Sequence, residues 1–301
     1  MSATKLDVPV PVTARTHLPA ALLRTARPRQ WPKNLLVLAA PAAAGRLLDP
    51  AVLVPAVEAT TVFVLASAAT YLVNDVLDVE ADRAHPTKRH RPVAAGELRP
   101  ATALRVGLAA GVLALVAAAA VGPGLAASVT VYLALTLAYS RWLKRLPVLD
   151  ILAVTAGFVV RAVAGAVATG LPLSDWFLLV TLFGSLFLVT TKRAGEQRRA
   201  GPRPREVLAV YPPGWLAQIM TVSLTGAVMA YAAWAFQYVG TDVFEPLLAL
   251  SVVPFLAGLL RYSLLASAGA GEVPEEALLD RFVLGSGVVW ALLLAVGLYL
   301  A

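Results

Sequence analysis

The 301-residue sequence lacks several residue types on which protein chemistry often depends. It contains no cysteine, which excludes disulfides, thiolate zinc sites and thiol nucleophiles. Its three histidines, His17, His85 and His90, all lie in polar segments, so a buried histidine metal centre is not expected. Any metal site would then use oxygen ligands, which favour Mg²⁺ or Mn²⁺.

Charged residues are also scarce. They make up 14% of the chain, against 59% hydrophobic residues and a mean hydropathy of +0.75. A soluble domain is rarely this apolar, so the composition indicates a polytopic, all-α membrane protein.

Apolar runs near the 20 or so residues that a bilayer requires of a helix predict nine transmembrane spans. They lie at about 32–47, 51–77, 101–121, 124–141, 148–169, 173–193, 214–237, 246–268 and 280–300. The first span is short, starts at Pro32 and contains Pro41. Residues 1–26 are expected to be a disordered tail without a signal-peptide core, and residues 27–301 a single transmembrane domain.

The basic residues are unevenly divided between the two sides of the predicted bundle. With the N-terminus inside, that side carries the tail, the 78–100 loop, residues 141–145 and the 192–213 loop, while the other side carries essentially Arg46. The positive-inside rule therefore predicts a cytoplasmic N-terminus and an external C-terminus in the cell membrane. It also accounts for the net charge of +7, so nucleic acid is not expected as a partner.

Acidic side chains collect at the end of the second span. With 3.6 residues per turn, Asp75, Asp78 and Asp82 are expected to share one helical face, where carboxylates can hold divalent cations. A dense set of cations follows within one loop: Arg83, Lys88, Arg89, His90 and Arg91. Carboxylates beside cations are typical of a site for a metal-bound diphosphate.

Two charged residues of the fifth span allow more than one interpretation. Asp150 either forms a second acidic site that supports a metal or orients Lys144, or it stabilises the helix dipole. Arg161 lies about 16 Å deeper in the same helix, where a charge costs several kcal/mol unless it has a partner or a polar cavity. It is predicted either to make a buried structural contact or to bind an anion at the wall of a substrate cavity.

These motifs resemble those of the UbiA superfamily of intramembrane prenyltransferases, and the resemblance covers nearly the whole chain. It rests on Asn74-Asp75-x-x-Asp78-x-x-x-Asp82, followed by Lys88-Arg89-x-Arg91-Pro92 and Gly96. Three runs resemble the phosphoribosyl-transferring members in particular: Arg27-Pro28-Arg29-Gln30-Trp31-x-Lys33-Asn34, the segment 78–92, and Tyr139-Ser140-x-x-Leu143-Lys144-Arg145.

One departure from the superfamily pattern bears on the donor. Members with aromatic acceptors carry two aspartates near the fifth helix, whereas here Asp150 is followed only by apolar residues. A single acid favours a donor that needs one metal site and many cations. Phosphoribosyl diphosphate, with a diphosphate on C1 and a separate 5-phosphate, meets that description better than a polyprenyl diphosphate.

The resemblance implies transfer of 5-phosphoribose to a polyprenyl phosphate, releasing diphosphate, in a cytoplasm-facing cavity, as a step toward cell-wall arabinan. It implies Mg²⁺ (or Mn²⁺) held by Asp75, Asp78 and Asp82, with Asn74 orienting them and Lys144 and Asp150 as further catalytic candidates. The implied donor contacts are Lys88, Arg89, Arg91, Lys192 and Arg193. The residues implied to position the lipid phosphate are Lys33, Asn34, Lys144 and Arg161, and Tyr139 is a further implied substrate contact.

Two alternatives and one question remain open at this point. An isoprenoid diphosphate could be joined to an aromatic acceptor, or the chain could be a lipid transporter without enzymatic activity. Removal of metal by EDTA would abolish a diphosphate transferase and leave a passive transporter unaffected. A homo-oligomer is possible.

Overall fold

The computed structural model describes residues 17–198, 206–237, 246–268, 277 and 279–300, and within these ranges the regular structure is entirely helical. The first predicted span instead forms a 3-10 helix, Pro28–Leu38, followed by a short α-helix. The α-helices are α1 (Leu18–Ala26), α2 (Ala39–Ala43), α3 (Pro50–Leu77), α4 (Val79–Arg83), α5 (Pro100–Val121), α6 (Pro123–Arg141), α7 (Leu149–Thr169), α8 (Asp175–Arg198), α9 (Glu206–Val210), α10 (Trp215–Phe236), α11 (Pro246–Leu250), α12 (Val252–Ser267) and α13 (Arg281–Tyr299).

Eight stretches of the described chain are long and apolar enough to span a bilayer: α3, α5, α6, α7, α8, α10, α11 with α12, and α13. The all-α membrane fold is thus confirmed, while the count of nine is not. Pro32 explains the difference, because it has no N–H to donate and its ring crowds the preceding turn. The tighter 3-10 helix is the local result.

Residues 18–26 are helical, which corrects the expectation of a disordered tail up to residue 26. Helix α1 packs on α3, and its Ala21 joins a small cluster with Leu72, Val93 and Leu98. Residues 1–16 lie outside the described part of the chain.

A glycine sets the position of the 3-10 helix. Gly165 of α7 packs against the backbone of Val37, and a Cβ on Gly165 would lie 1.8 Å from the Val37 carbonyl oxygen. Only glycine permits this approach. One turn away on both helices, the same contact brings Asn34 beside Arg161.

The functional side chains gather at one end of the bundle, here called the polar end. It is formed by the C-termini of α3, α6 and α8 and by the N-terminus of α7, and contacts among Asp78, Lys144, Tyr139, Arg193 and Asp150 tie these ends together. The helix of the acidic motif is interrupted here, because Asp78 is the C-cap of α3 with φ −99° and ψ 7°.

Candidate active site

A cavity of about 590 Å³ lies at the polar end, bordered by α3, α6 and α7. Nine of the predicted site residues line it: Lys33, Asn74, Asp78, Asp82, Lys88, Arg91, Tyr139, Lys144 and Arg161. The structure therefore brings together side chains from the 3-10 helix, α3, α4, α6, α7 and two loops.

The three aspartates of the acidic motif have different surroundings. Asp75 is buried outside the cavity lining, where it accepts hydrogen bonds from Arg27 and, at 3.3 Å, from Arg91. Arg91 also donates to Asp82 at 2.6 Å, so one guanidinium bridges two carboxylates. Asp78 instead accepts from Lys144 Nζ at 2.5 Å.

This arrangement differs from the predicted single face of three carboxylates. The break in the helix at Asp78 turns the chain between Asp75 and Asp82, and each carboxylate is held by a cation. Within the described ranges, no group of three acidic or histidine side chains is close enough to hold a metal ion.

Two of the carboxylates nevertheless fit a magnesium ion that arrives with a diphosphate. Asp78 and Asp82 line the cavity, and each accepts its hydrogen bond from a cation through one carboxylate oxygen: Oδ1 of Asp78 from Lys144, and Oδ2 of Asp82 from Arg91. Protein sites commonly hold Mg²⁺ through one or two carboxylates, with substrate phosphates and water completing the shell. A preformed cluster of three carboxylates is not needed for that mode of binding.

Arg161 lies at the inner wall of the cavity. Its Nε donates to Asn34 Oδ1 at 2.9 Å, and its terminal nitrogens donate to the Gly157 carbonyl at 2.9 Å and to the Tyr132 hydroxyl at 2.8 Å. The guanidinium also lies 4.5 Å from the centre of the Tyr132 ring. These partners are all neutral, and Arg161 forms no ion pair with a described residue.

The predicted sites at Asp150 and Arg193 are not part of the cavity wall. Asp150 is completely buried and accepts from Arg193 Nε at 2.9 Å and from the Tyr211 hydroxyl. Arg193 further donates to Glu196 at 2.8 Å and to the Tyr139 hydroxyl at 2.9 Å. Asp150 is thus not a second acidic face opposite the first, because Arg193 neutralises it.

Three other predicted residues lie away from the cavity lining. Asn34 is fully buried behind it and reaches the cavity only through Arg161. Lys192 and Arg89 are exposed on the surface of the polar end. Neither of these cations lines the cavity in the described structure.

Several residues of the cavity wall were not predicted. Arg27 is the most informative of them, since it binds Asp75 and lies 4.8 Å above the ring of Tyr71. It was part of the run that carries the resemblance, so that run could have indicated it. The other polar residues of the wall that were not predicted are Thr70, Tyr71, His85, Tyr132, Thr136, Ser140 and Arg145. His85, Ser140 and Arg145 also belong to the runs that carry the resemblance, whereas the other four have no such signal.

An apolar pocket adjoins the inner side of the cavity. It also measures about 590 Å³ and shares Lys33 and Phe158 with the polar cavity. Its wall is formed by the 3-10 helix, α8, α10, α12 and α13, with Tyr231, Trp234 and Trp290 among the lining residues. A smaller apolar pocket of about 260 Å³ lies between α3, α5 and α6.

The helical bundle and its polar cavity define an intramembrane transferase fold, and the chain belongs to the UbiA prenyltransferase family, whose sequence profile matches residues 35–278. Among its relatives, the decaprenyl-phosphate phosphoribosyltransferase of Mycobacterium tuberculosis is 44% identical over 282 residues, covering 91% of this chain and 93% of that protein. The decaprenyl-phosphate phosphoribosyltransferase of Corynebacterium glutamicum is 41% identical over 294 residues, covering 94% and 88%.

Solved structures share the fold. A UbiA homolog from Archaeoglobus fulgidus bound to GPP and Mg²⁺ has a TM-score of 0.67 at 19% identity, covering 93% of this chain and 100% of that one. A structure of a UbiA homolog from the same organism contains Cd²⁺. The predicted membership of the UbiA superfamily is confirmed by the family profile and by the relatives at 41% and 44% identity.

Proposed function

We propose that the protein transfers a 5-phosphoribosyl group from phosphoribosyl diphosphate to the phosphate of a polyprenyl lipid, such as decaprenyl phosphate, and releases diphosphate. The observation that carries the proposal is the junction of a cation-rich polar cavity with an apolar pocket inside a membrane bundle. A water-soluble polyanion and a lipid need to meet at such a junction. The names of relatives at 41% and 44% identity support the same reaction.

The donor diphosphate is assigned to the acidic motif. Asp78 and Asp82 would hold Mg²⁺, or Mn²⁺, against it, and the metal would neutralise charge on the leaving group. Asn74 lines the cavity next to them and is placed to orient this end of the donor. Asp75 lies outside the cavity lining and holds Arg27 and Arg91 in position at the cavity wall through hydrogen bonds.

The cations around the donor contact its phosphoryl oxygens. Arg91 and Arg27 carry guanidinium groups, which suit bidentate contacts to phosphate, and Lys88 and Arg145 line the same wall. When Asp78 binds the metal ion, Lys144 can contact a phosphoryl oxygen of the donor instead of Asp78. Arg193 and Asp150 are left out of this assignment because they pair with each other.

The acceptor phosphate is assigned to the inner wall. Arg161 has a charge without an ionic partner among the described residues, and Lys33 borders both the cavity and the apolar pocket. A lipid phosphate near these two residues would have its polyprenyl chain in the apolar pocket. The 5-phosphate of a polar ribose would gain nothing from that pocket.

Bond changes in the reaction are few. A phosphate monoester is already an anion at neutral pH, so its oxygen attacks C1 without a general base. The new C1–O bond forms as the bond from C1 to the diphosphate oxygen breaks, through an oxocarbenium-like centre. The protein contributes orientation and preorganised charge.

The positive-inside pattern supports the cell membrane as the location, with the polar end on the cytoplasmic side, where a soluble sugar diphosphate is available. The N-terminus would then be cytoplasmic and the C-terminus external.

The decisive experiment supplies purified protein with Mg²⁺, radiolabelled phosphoribosyl diphosphate and polyprenyl phosphates of several lengths. Label is expected in the lipid fraction, and EDTA should abolish the transfer. A matched reaction offers a polyprenyl diphosphate and an aromatic acceptor. Transfer in that reaction alone would replace the proposal by the aromatic prenyltransferase alternative, and lipid movement indifferent to EDTA would favour the transporter.

A further inference from the structure

A buried polar network links the cavity wall to the short helix α9. Asp150 uses both carboxylate oxygens: Oδ2 accepts from Arg193 and Oδ1 accepts from Tyr211. Arg193 continues the chain of contacts to Tyr139, which lines the cavity. On the other side, Tyr211 follows α9, whose Val207 also lines the cavity.

The Tyr211 hydroxyl is fixed from several directions. It accepts from the Val148 backbone N–H at 2.8 Å while it donates to Asp150. Burial and the hydrogen bond to Asp150 raise the pKa of Tyr211 to about 12, so the hydroxyl remains a donor at neutral pH. Its ring stacks on Trp215 at 4.8 Å with an interplanar angle of 6°.

The backbone at the C-terminal end of α9 is held by a further side chain. Gln197 of α8 donates to the carbonyl oxygens of Leu208 and Tyr211, both at 3.1 Å. Helix α9 has only five residues and cannot be stable alone, so these contacts determine its position. The Tyr211–Asp150 bond joins it to the network of the cavity wall.

Arg193 constrains the Tyr139 hydroxyl. A phenol oxygen that accepts from a guanidinium keeps its own proton on the side away from that cation. The charge of the donor polarises the phenol and strengthens the bond that it donates in turn. Tyr139 is therefore prepared as a donor to an anion in the cavity.

We infer that Asp150 is a positioning residue that couples two elements of the site: through Arg193 it orients the Tyr139 hydroxyl toward the substrate phosphates, and through Tyr211 it holds α9 and Val207 over the cavity. The part that concerns Tyr139 rests on the proposed function, because it requires an anionic substrate. The part that concerns α9 does not depend on which reaction takes place.

The absence of native cysteine provides a test of the α9 contact that needs no activity. Val207 is 2% exposed, so a Val207→Cys variant should react slowly with a water-soluble maleimide. Adding Tyr211→Phe removes one hydroxyl bonded to a carboxylate, and labelling should accelerate by roughly 10-fold or more. Tyr299→Phe, at the other end of the bundle where the hydroxyl bonds to Leu47 N, is the matched control and should leave the rate unchanged.

The coupling to Tyr139 is tested by transferase kinetics on Tyr211→Phe, Tyr139→Phe and the double variant. Each single change is expected to lower kcat, and the double variant should lose less than the product of the two losses, because both act through Asp150. Tyr211→Phe leaves the buried pair of Asp150 and Arg193 intact, whereas Asp150→Asn would remove one of the two carboxylates that compensate the Arg193 charge and could impair folding.

The outcomes separate the two parts of the inference. Unchanged labelling of Cys at position 207 in the Tyr211→Phe background would overturn the role of Asp150 in holding α9. Losses in kcat that multiply independently would overturn the coupling. A parent protein without phosphoribosyl transfer, in which Tyr211→Phe still accelerates labelling, would overturn the proposed function and leave the α9 contact standing.

Discussion

Arg161 places its Nε 2.9 Å from Oδ1 of Asn34, although the two residues are 127 positions apart in the chain. The contact lies inside a membrane-spanning helix, and among the described residues the other hydrogen-bond partners of Arg161 are a backbone carbonyl and two hydroxyls. A cation solvated only by neutral groups in this environment retains its attraction for an anion. We therefore expect Arg161 to dominate recognition of the acceptor phosphate.

Replacing Arg161 by glutamine should raise the KM for polyprenyl phosphate by about 10- to 100-fold, which corresponds to the loss of a charged hydrogen bond. The KM for phosphoribosyl diphosphate should change little. Arg161→Lys should recover only part of the loss, because lysine lacks the planar fork that contacts Asn34 and Tyr132 together. Arg105→Gln, an exposed arginine of α5, is the control. A selective rise in the donor KM would instead assign Arg161 to the 5-phosphate.

The contact between Lys144 and Asp78 should be needed for turnover rather than for folding. Asp78→Asn is expected to abolish transfer, and Lys144→Gln to lower kcat by about 10²- to 10³-fold, the usual effect of removing one preorganised charged group. Both variants should insert into membranes like the parent, because each side chain is partly exposed in the cavity. Steady-state rates and membrane fractionation provide the measurements.

The ion pair of Arg46 with Asp49 offers a matched control for that prediction. It has a similar distance of 2.6 Å but lies outside the cavity lining. Arg46→Gln should leave both rate and insertion unchanged. Full activity in Asp78→Asn would remove this carboxylate from the metal site.

Gly165→Ala should destabilise the protein, whereas alanine usually stabilises a helix relative to glycine by about 0.5–1 kcal/mol. The added Cβ would collide with the Val37 carbonyl and push the 3-10 helix away from α7. Thermal unfolding in detergent should show a lower midpoint, and the KM for the acceptor should rise because Asn34 would move with the helix. Gly285→Ala, where a Cβ meets nothing within 4 Å, should show neither effect.

Val148 has φ +69° and ψ −48°, a backbone conformation that a β-branched residue rarely adopts. Strain of this kind costs about 1–3 kcal/mol. Val148→Gly should therefore raise or preserve the unfolding midpoint and keep activity, because the backbone N–H that binds Tyr211 remains. Val148→Ala retains a Cβ and should bring no such relief. A lower midpoint for the glycine variant than for the alanine variant would show that the Val148 side chain matters more than its backbone conformation.

The all-helical membrane fold and the acidic motif were predictable from the sequence. Long apolar runs leave no alternative to helices in a bilayer, because every backbone polar group must be satisfied within the segment. Asp75, Asp78 and Asp82 stand at the end of a long apolar run, so the sequence alone identifies them as a candidate site. The first span was predicted less well, because Pro32 converts it to a 3-10 helix. The length of an apolar run does not distinguish a 3-10 helix from an α-helix.

Pairing between helices was decided only by the tertiary structure. The sequence suggested that Asp150 and Arg193 serve the substrate, yet packing of α7 on α8 places them against each other and out of the cavity lining. Packing of α1 on α3 also brings Arg27 to the cavity wall, although by sequence it belongs with the basic residues of the tail. Helical periodicity determines which side chains share a face of one helix, but the partner of that face depends on how distant helices approach. Here that approach is set by close contacts such as Gly165 against Val37, and such contacts decide which charges neutralise one another and which remain for a substrate.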